Sequence, residues 1–496
     1  MQLQFSKNKI PCLRLIQGQT QTQEQTQELK LNEGMPDVGR ILGTWAQPVI
    51  RGKEWRSDAV VCSCGVMVWV LYAPEDGSQA QCVESWIPFS VKWSIPDSGQ
   101  DGTLLCQAAV KAADTRVLSG RKLMIRVSVC MTAEAYVPSV AEYYEPGEVP
   151  EDIQLRKKTY TPCLAAEAGE KAFMIDEELM LPGSAPAMGK MIRYSLQPEI
   201  TERKVLGDKA VFRGNCIFHL LYRTAEGALA SWDFEIPFSQ YTELEREYGN
   251  QAQVDIFPFV TALETEMAEG GRIRLKAGLS GQYLLYDTPE IIMAEDAYSP
   301  FREVNLQTER VEIPTINPPV QKMIRVEQTA PFGGTRCADS EIFVGCPSIQ
   351  PRSDRDAAEL NGIFQVLYYD TEGQLQSGNA HYQQEEPVEN GDSVAWCVPK
   401  GRPQIMPGID STALKAEVML HQVFADAKPL DMLTGLTIGD QAEKDPARPS
   451  LILRRPGQQD LWTLAKENGS TEDAIRQANH LQGDPEPDQM LLIPVL

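Results

Sequence analysis

Histidine and cysteine are the side chains best able to hold a metal or attack a substrate, and in this chain their spacing favours neither role. The four histidines, His219, His381, His421 and His480, stand far apart, whereas a zinc site draws its donors from short, regular intervals. Among eleven cysteines only Cys62 and Cys64 are close, and no CxxC occurs. That scatter is expected of reduced, mostly buried thiols, and it predicts neither a metal nor a cofactor. Carboxylates are plentiful, but no nucleophile elbow, P-loop, HExxH or GxGxxG marks out a reactive pair. The expectation is a protein that is not an enzyme and has no catalytic residues.

The elements that carry these residues must then serve binding or structure. A chain of 496 residues exceeds what one hydrophobic core usually supports, so several domains are expected. Forty-six Lys and Arg against 69 Asp and Glu leave a net charge of −23, which repels nucleic acid and favours basic or polar protein partners. No apolar run approaches the roughly 20 residues needed to cross a bilayer, so no transmembrane segment is expected. The start, Met1 to Lys7, shows neither a basic region with an apolar core nor a small-residue cleavage site. Together with the scattered thiols this predicts a cytoplasmic protein.

Comparison of the chain with itself shows a long repeat. Ile87, Pro88, Phe89 and Ser90 recur as Ile236, Pro237, Phe238 and Ser239. Before them lie Gly65 to Tyr72, reading GVMVWVLY, and Gly214 to Tyr222, reading GNCIFHLLY, with Gly362 to Tyr369, GIFQVLYY, as a third member. Each is followed by a Gly-containing acidic turn at Asp76-Gly77, Glu226-Gly227 or Glu372-Gly373, so three equivalent hairpins are expected. Pro36, Gly39, Arg40 and Ile41 match Pro186, Gly189, Lys190 and Met191. In the third copy Pro318, Pro319, Lys322 and Met323 are the matching set, which leaves about 14 extra residues before Leu367 and suggests a surface insertion near 351–357. Alternation of period two, as at Leu123, Ile125, Val127 and Val129, dominates these units. The Gln and Thr tract near 18–26 reads as a polar edge strand.

The fold class predicted is mainly β: three tandem antiparallel domains, sandwich or small barrel, followed by a small βααβ domain. The boundaries read as 1–145, 146–300 and 301–427, a linker over 428–449 rich in Pro, Gly and charge, and a last domain over 450–496. The acidic cluster Glu142, Glu145, Glu148, Glu151 and Asp152 reads as a solvated inter-domain linker.

In that last domain Leu451 to Leu453 form a short strand, Pro456 and Gly457 turn the chain, and Leu461, Leu464 and Ala465 share one face of a helix with Trp462 beside it. Ser470 and Asp473 resemble a capping box for a second helix whose apolar face is Ala474, Ile475 and Ala478. Met490 to Pro494 close the sheet. The order Leu461, Trp462, Leu464, Ala465, Asn479, Leu481, Leu492, Ile493, Pro494 resembles the LysM family throughout. The loop Gly457, Gln458, Gln459, Asp460 is one residue longer than the family's, and Pro487-Asp488 replaces its late Pro-Gly, which moves backbone groups in the groove where family members hold glycans.

Three β repeats ending in LysM resemble the clostridial SipL-like spore-coat morphogenetic family. That resemblance implies a scaffold of endospore coat assembly at the forespore surface, in the mother-cell cytoplasm. It also implies a LysM module that docks onto a spore-coat morphogenetic ATPase of the SpoIVA type and other coat proteins. The alternative is a cell-wall protein that binds peptidoglycan or a chitin-type glycan. Either way the loop residues Gly457, Gln458, Gln459, Asp460, Trp462, Asn479, His480 and Leu481 are the candidate partner contacts, with Trp462 also placed to pack the two helices.

Overall fold

The computed structural model describes residues 1–96, 101–268, 271–388, 393–426, 429–441 and 448–496. Repeat one contains β1 (Gln2–Gln4), β2 (Ser6–Lys30), β3 (Val38–Trp55), β4 (Ala59–Pro74), β5 (Gln81–Ser94), β6 (Thr103–Ser119) and β7 (Lys122–Glu145). Repeat two contains β8 (Gln154–Tyr160), β9 (Leu164–Met180), β10 (Met188–Thr224), β11 (Leu229–Tyr248), β12 (Gln253–Met267), β13 (Arg272–Asp287) and β14 (Ile291–Tyr298). Repeat three contains β15 (Arg302–Glu312), β16 (Thr315–Ala330), β17 (Arg336–Val344), β18 (Ser348–Gln350), β19 (Ala357–Tyr369), β20 (Leu375–Pro387), β21 (Ser393–Pro407), β22 (Thr412–Asp426) and β23 (Pro429–Gln441). The C-terminal module is β24 (Leu451–Arg454), α1 (Leu461–Asn468), α2 (Glu472–Asn479) and β25 (Leu491–Pro494). Strand dominates, and the two helices both lie in that module, as the alternating pattern predicts.

Each repeat is a two-layer sandwich. In repeat one the antiparallel sheet β3-β4-β5 faces the sheet formed by β6, β7 and β2. Alternate residues of both close one core, including Trp45, Val66, Val68 and Val70 from one layer and Leu123, Ile125, Val127 and Val129 from the other. Repeats two and three build equivalent cores. The three expected hairpins are β4-β5, the end of β10 with β11, and β19-β20. Their turns place Gly77, Gly227 and Gly373 at φ of 73°, 91° and 76°, a left-handed conformation that glycine adopts without a Cβ clash.

The third copy sits in a different register from the one its prolines suggest. Pro318 and Pro319 lie in β16, which pairs with β22 and so corresponds to β2, not to β3. The counterpart of Arg40 is Arg336, and Gly334, one residue further upstream than Gly39 is from Arg40, makes the same close approach. A Cβ on Gly39 would meet the carbonyl oxygen of Ala73, and one on Gly334 would meet that of Tyr369. Both β3 and β17 carry a bulge at the same place, between Ile41 and Gly43 and between Cys337 and Asp339. From Arg336 to Leu367 is 31 residues, as from Arg40 to Leu71 and from Lys190 to Leu221, so no insertion is needed. The polar run 351–356 is the tip joining β18 to β19.

The linker expectation also changes. Residues 429–441 form β23, which pairs with β15 along its length and receives β1 on its other side, Leu3 opposite Leu436. Residues 442–447 lie outside the described residues. Glu142 and Glu145 belong to β7, where Glu142 pairs with Lys7 (2.8 Å) and Lys9 (3.1 Å).

A strand near the start and the last strand of each repeat make a ribbon: β2 with β7, β8 with β14, β15 with β23. The three ribbons share one core that includes Phe5, Tyr144, Ile291, Val311 and Leu436. On the other side, β3 packs on β12, β10 on β21 and β17 on β6. Each repeat thus leans on the next, and the third returns to the first, so the units close into a ring. A disulfide, Cys130–Cys346, joins repeats one and three with Cα atoms 5.5 Å apart. Scatter along the chain hid this pair, because its 216-residue separation is closed only by the ring. The Gln and Thr tract is a strand, as expected, paired to β7 on one side, with Thr20 Oγ1 bonding the Ala395 carbonyl of repeat three (2.8 Å).

Candidate functional site

Two places bring polar groups together. The first lies where the repeats meet. The third residue after Arg40, Lys190 and Arg336 is Gly43, Arg193 and Asp339, so one repeat position carries a gap, a cation and an anion. The ring brings the two charges into contact: the Arg193 guanidinium, 1% exposed, lies 2.7 Å from Asp339 and 3.0 Å from Glu341, with its carbon 4.7 Å from the centroid of the Trp45 ring. Arg402 joins the same two carboxylates. His219 lies 2.5 Å from Asp233 and, without hydrogen-bond alignment, 3.0 Å from Asp339. Burial alone would raise the Asp339 carboxyl; Arg193, His219 and Arg402 reverse that and hold it far below the usual carboxylate range. Beside this cluster a cavity of about 270 Å³ opens among equivalent strands, lined by Gln47, Leu196 and Phe343 among others. Its charged walls are already paired, Lys400 with Glu199 (2.6 Å) and Arg203 with Asp255 (2.7 Å), so the junction is suited to holding repeats together.

The second place is the C-terminal module. Asp460 caps α1 by accepting from the Thr463 N–H (2.9 Å), and Gly469 ends the helix at φ 61°. The cap of α2 is Thr471, not Ser470: Thr471 accepts from Ala474 N–H, while Ser470 is fully buried. Leu461, Leu464, Ala465, Ile475, Leu491 and Ile493 form the module's core. Trp462, and Tyr298 at the end of β14 in repeat two, complete that core.

The module is therefore clamped on repeat two. The Trp462 indole N–H donates to Asp296 (2.8 Å), and its ring meets Tyr298 edge-on with centroids 4.8 Å apart. Lys466 Nζ reaches both Asp296 oxygens at 2.7 and 2.8 Å. Asp460 pairs with Arg156 of β8 at 2.7 Å. The hydrogen bond from Thr463, with the cap N–H and then Arg156, holds the Asp460 carboxyl below its ordinary value. No local pattern in β8 or β14 announces this role, and only spatial proximity reveals Arg156, Asp296 and Tyr298.

The eight candidate contacts separate into groups. Asp460 and Trp462 serve the clamp. Asn479 is structural: its amide donates to the carbonyls of Ile475 (2.8 Å) and Leu492 (2.6 Å) and its oxygen accepts from Leu492 N–H (2.7 Å), tying α2 to β25. Leu481 packs on the core, and His480 ends α2 in a left-handed conformation at φ 54°. Gly457, Gln458 and Gln459 form the loop beside a groove of about 300 Å³ that Arg156 of repeat two also lines. The Gly457 N–H already donates to the Pro487 carbonyl (3.0 Å), and Gln459 donates to Glu467 (3.1 Å).

Sandwich repeats with paired junction charges and a small helical module define a β-rich binding protein. Among the described residues no group of three or more His, Cys, Asp or Glu is placed to hold a metal. Residues 187–268, the heart of repeat two, match the family described as SipL, SPOCS domain, and residues 458–494 match the LysM domain. The chain thus joins a SipL SPOCS domain to a C-terminal LysM domain, the combination its sequence resembles. Both are non-catalytic binding domains, and the first places the chain in a sporulation context. No curated protein and no solved structure matches the chain.

Proposed function

We propose that the chain is a non-enzymatic scaffold of endospore coat assembly at the forespore surface, on the mother-cell side, and that its LysM module docks onto a coat morphogenetic ATPase. The observation that carries this reading is the clamp. A module whose cap residue Asp460 and helix residue Trp462 are committed to repeat two is held in a set orientation relative to a large rigid ring, as a scaffold requires. Presentation of several modules from one frame raises the effective concentration of partners at an assembling layer. The longer Gly457 to Asp460 loop, with its amide used by Pro487, leaves fewer backbone donors for a sugar.

A second reading, peptidoglycan binding, is favoured by the LysM match and by the open groove. Purified full-length protein presented to the immobilised ATPase and, separately, to insoluble peptidoglycan tests both. Retention by the ATPase alone is expected, and retention by peptidoglycan alone overturns the protein-docking reading.

A further inference from the structure

Alternation along the strands gives every repeat a second face, and in the ring those faces meet. In β6, Cys106 and Val110 close the core of repeat one, so Gln107 and Ala109 face away from it. In β12, Ile256 belongs to the core of repeat two and Phe257 does not. In β21 and β22, Cys397 and Leu420 belong to the core of repeat three, which turns Trp396, Val398 and His421 the other way. Phe257 and Trp396 instead meet edge-on, centroids 5.6 Å apart, in a cluster that takes side chains from all three repeats. The cavity of about 270 Å³ lies here, and those six outward-turned residues are all among its walls. Concave sites with apolar walls and a few polar groups, where domains meet, are the usual places for small molecules.

The polar groups of the wall indicate what fits. Its charges answer one another: Lys400 pairs with Glu199, Arg203 with Asp255 and Glu341 with Arg402. A charged guest would have to break such a pair. The uncharged groups are not all answered. Among the described residues the Gln107 amide nitrogen and His421 Nε2 are buried without a hydrogen-bond partner, and His421 is 1% exposed. A buried donor without an acceptor is costly, and an amide nitrogen can only donate. The partner that suits Gln107 is therefore an acceptor.

We propose that this cavity is a binding site for a small, uncharged organic molecule with a flat apolar body and a hydrogen-bond acceptor such as a carbonyl. Phe257, Trp396 and Val398 cover the body, and the Gln107 amide donates to the acceptor. Because the walls come from all three repeats, occupancy adds to the stability of the closed ring. The site is independent of what the LysM module docks onto.

The test uses the full-length chain and prodan, a neutral naphthalene ketone whose emission moves to the blue in an apolar site. Saturable binding of one probe per chain is expected, with a raised melting temperature. Gln107→Met keeps the volume of the wall and removes the donor, so it should weaken binding about fivefold. It should not lower the melting temperature of the chain without probe, because the amide nitrogen it removes has no partner; a clear drop would make Gln107 a structural residue and overturn its role. Ala109→Phe fills the cavity from repeat one and should abolish binding, and Val398→Trp, filling it from repeat three, should do the same where the first variant fails to fold. Binding left unchanged by all three variants overturns the site. Absence of saturable binding also overturns it and leaves the cavity to water. Equally tight binding of the anionic anilinonaphthalene sulfonate overturns the uncharged class of ligand.

Discussion

The junction between the repeats and the clamp under the LysM module use the same chemistry, carboxylates against Arg or Lys beside an aromatic ring, at very different depths. At the junction, Arg193 and Asp339 are almost wholly buried and satisfied on several sides. At the clamp, Arg156 and Asp460 are each nearly half exposed, and Asp296 carries both the Trp462 N–H and the Lys466 ammonium. A buried charge that loses its partner cannot recover solvation, whereas an exposed one finds water. The ring should therefore be a deeply held frame and the clamp a more lightly held seat.

The largest effect is expected from Arg193→Met, which leaves Asp339 with less positive charge around it. A loss of about 3–5 kcal/mol is expected in denaturant unfolding, and a loss below about 1 kcal/mol would remove the distinction between frame and seat.

The next test is pH, again at the repeat junction. Burial pushes the Glu134 carboxyl up to about 7 from 4.5, and burial, then Arg203, pushes His421 down to about 3 from 6.5. His421 stacks on Trp396 with centroids 4.5 Å apart and meets Phe257 edge-on. For His421 the unfolded chain binds the extra proton, so its contribution is full above about pH 6.5 and is lost as pH falls toward 3. For Glu134 the folded chain binds it, so its contribution is full below about pH 4.5 and is lost as pH rises through 7. The two slopes oppose one another between pH 4.5 and 6.5. Glu134→Gln should uncover stability that falls on acidification, and His421→Phe stability that falls on alkalinisation, each by up to about 1.4 kcal/mol per pH unit. Melting curves across that range check both signs.

At the clamp, Asp296→Ala removes an acceptor shared by Trp462 and Lys466, at an expected cost of about 1–2 kcal/mol. The change should appear as altered Trp462 fluorescence and faster proteolysis before β24, with the ring unaffected. Smallest of all, Arg156→Ala should cost under about 1 kcal/mol and lose its effect in high salt. If Arg156→Ala released the module as fully as Asp296→Ala, the clamp would be electrostatic and not built on Trp462.

Much of the fold was legible because its signals are short-range. Gly77, Gly227 and Gly373 mark three turns, since a positive φ is resolved by residues a few positions away. The misread places fail for a complementary reason. Pro318-Pro319 resembles Pro36 in composition, but strand partners decide the register, and β16 answers to β22. Residues 429–441 look like a tether because their Pro and Gly content is visible and their partner, β15, lies over a hundred residues earlier. In the candidate site, the order from Leu461 to Pro494 identified the module, and Asn479 proved structural because two of its hydrogen bonds reach across to Leu492 of β25.

Alternation, turn glycines and the apolar faces of the two helices thus settled the β repeats and the βααβ module from the sequence alone, since each rests on interactions within one element or one hairpin. The ring and the clamp were decided only in three dimensions. Arg193 and Asp339 occupy the same position in different repeats, and Asp296 and Trp462 stand in different domains. A charge or an N–H of that kind gains a partner only when separately folded surfaces meet, and burial then sets how much the meeting is worth.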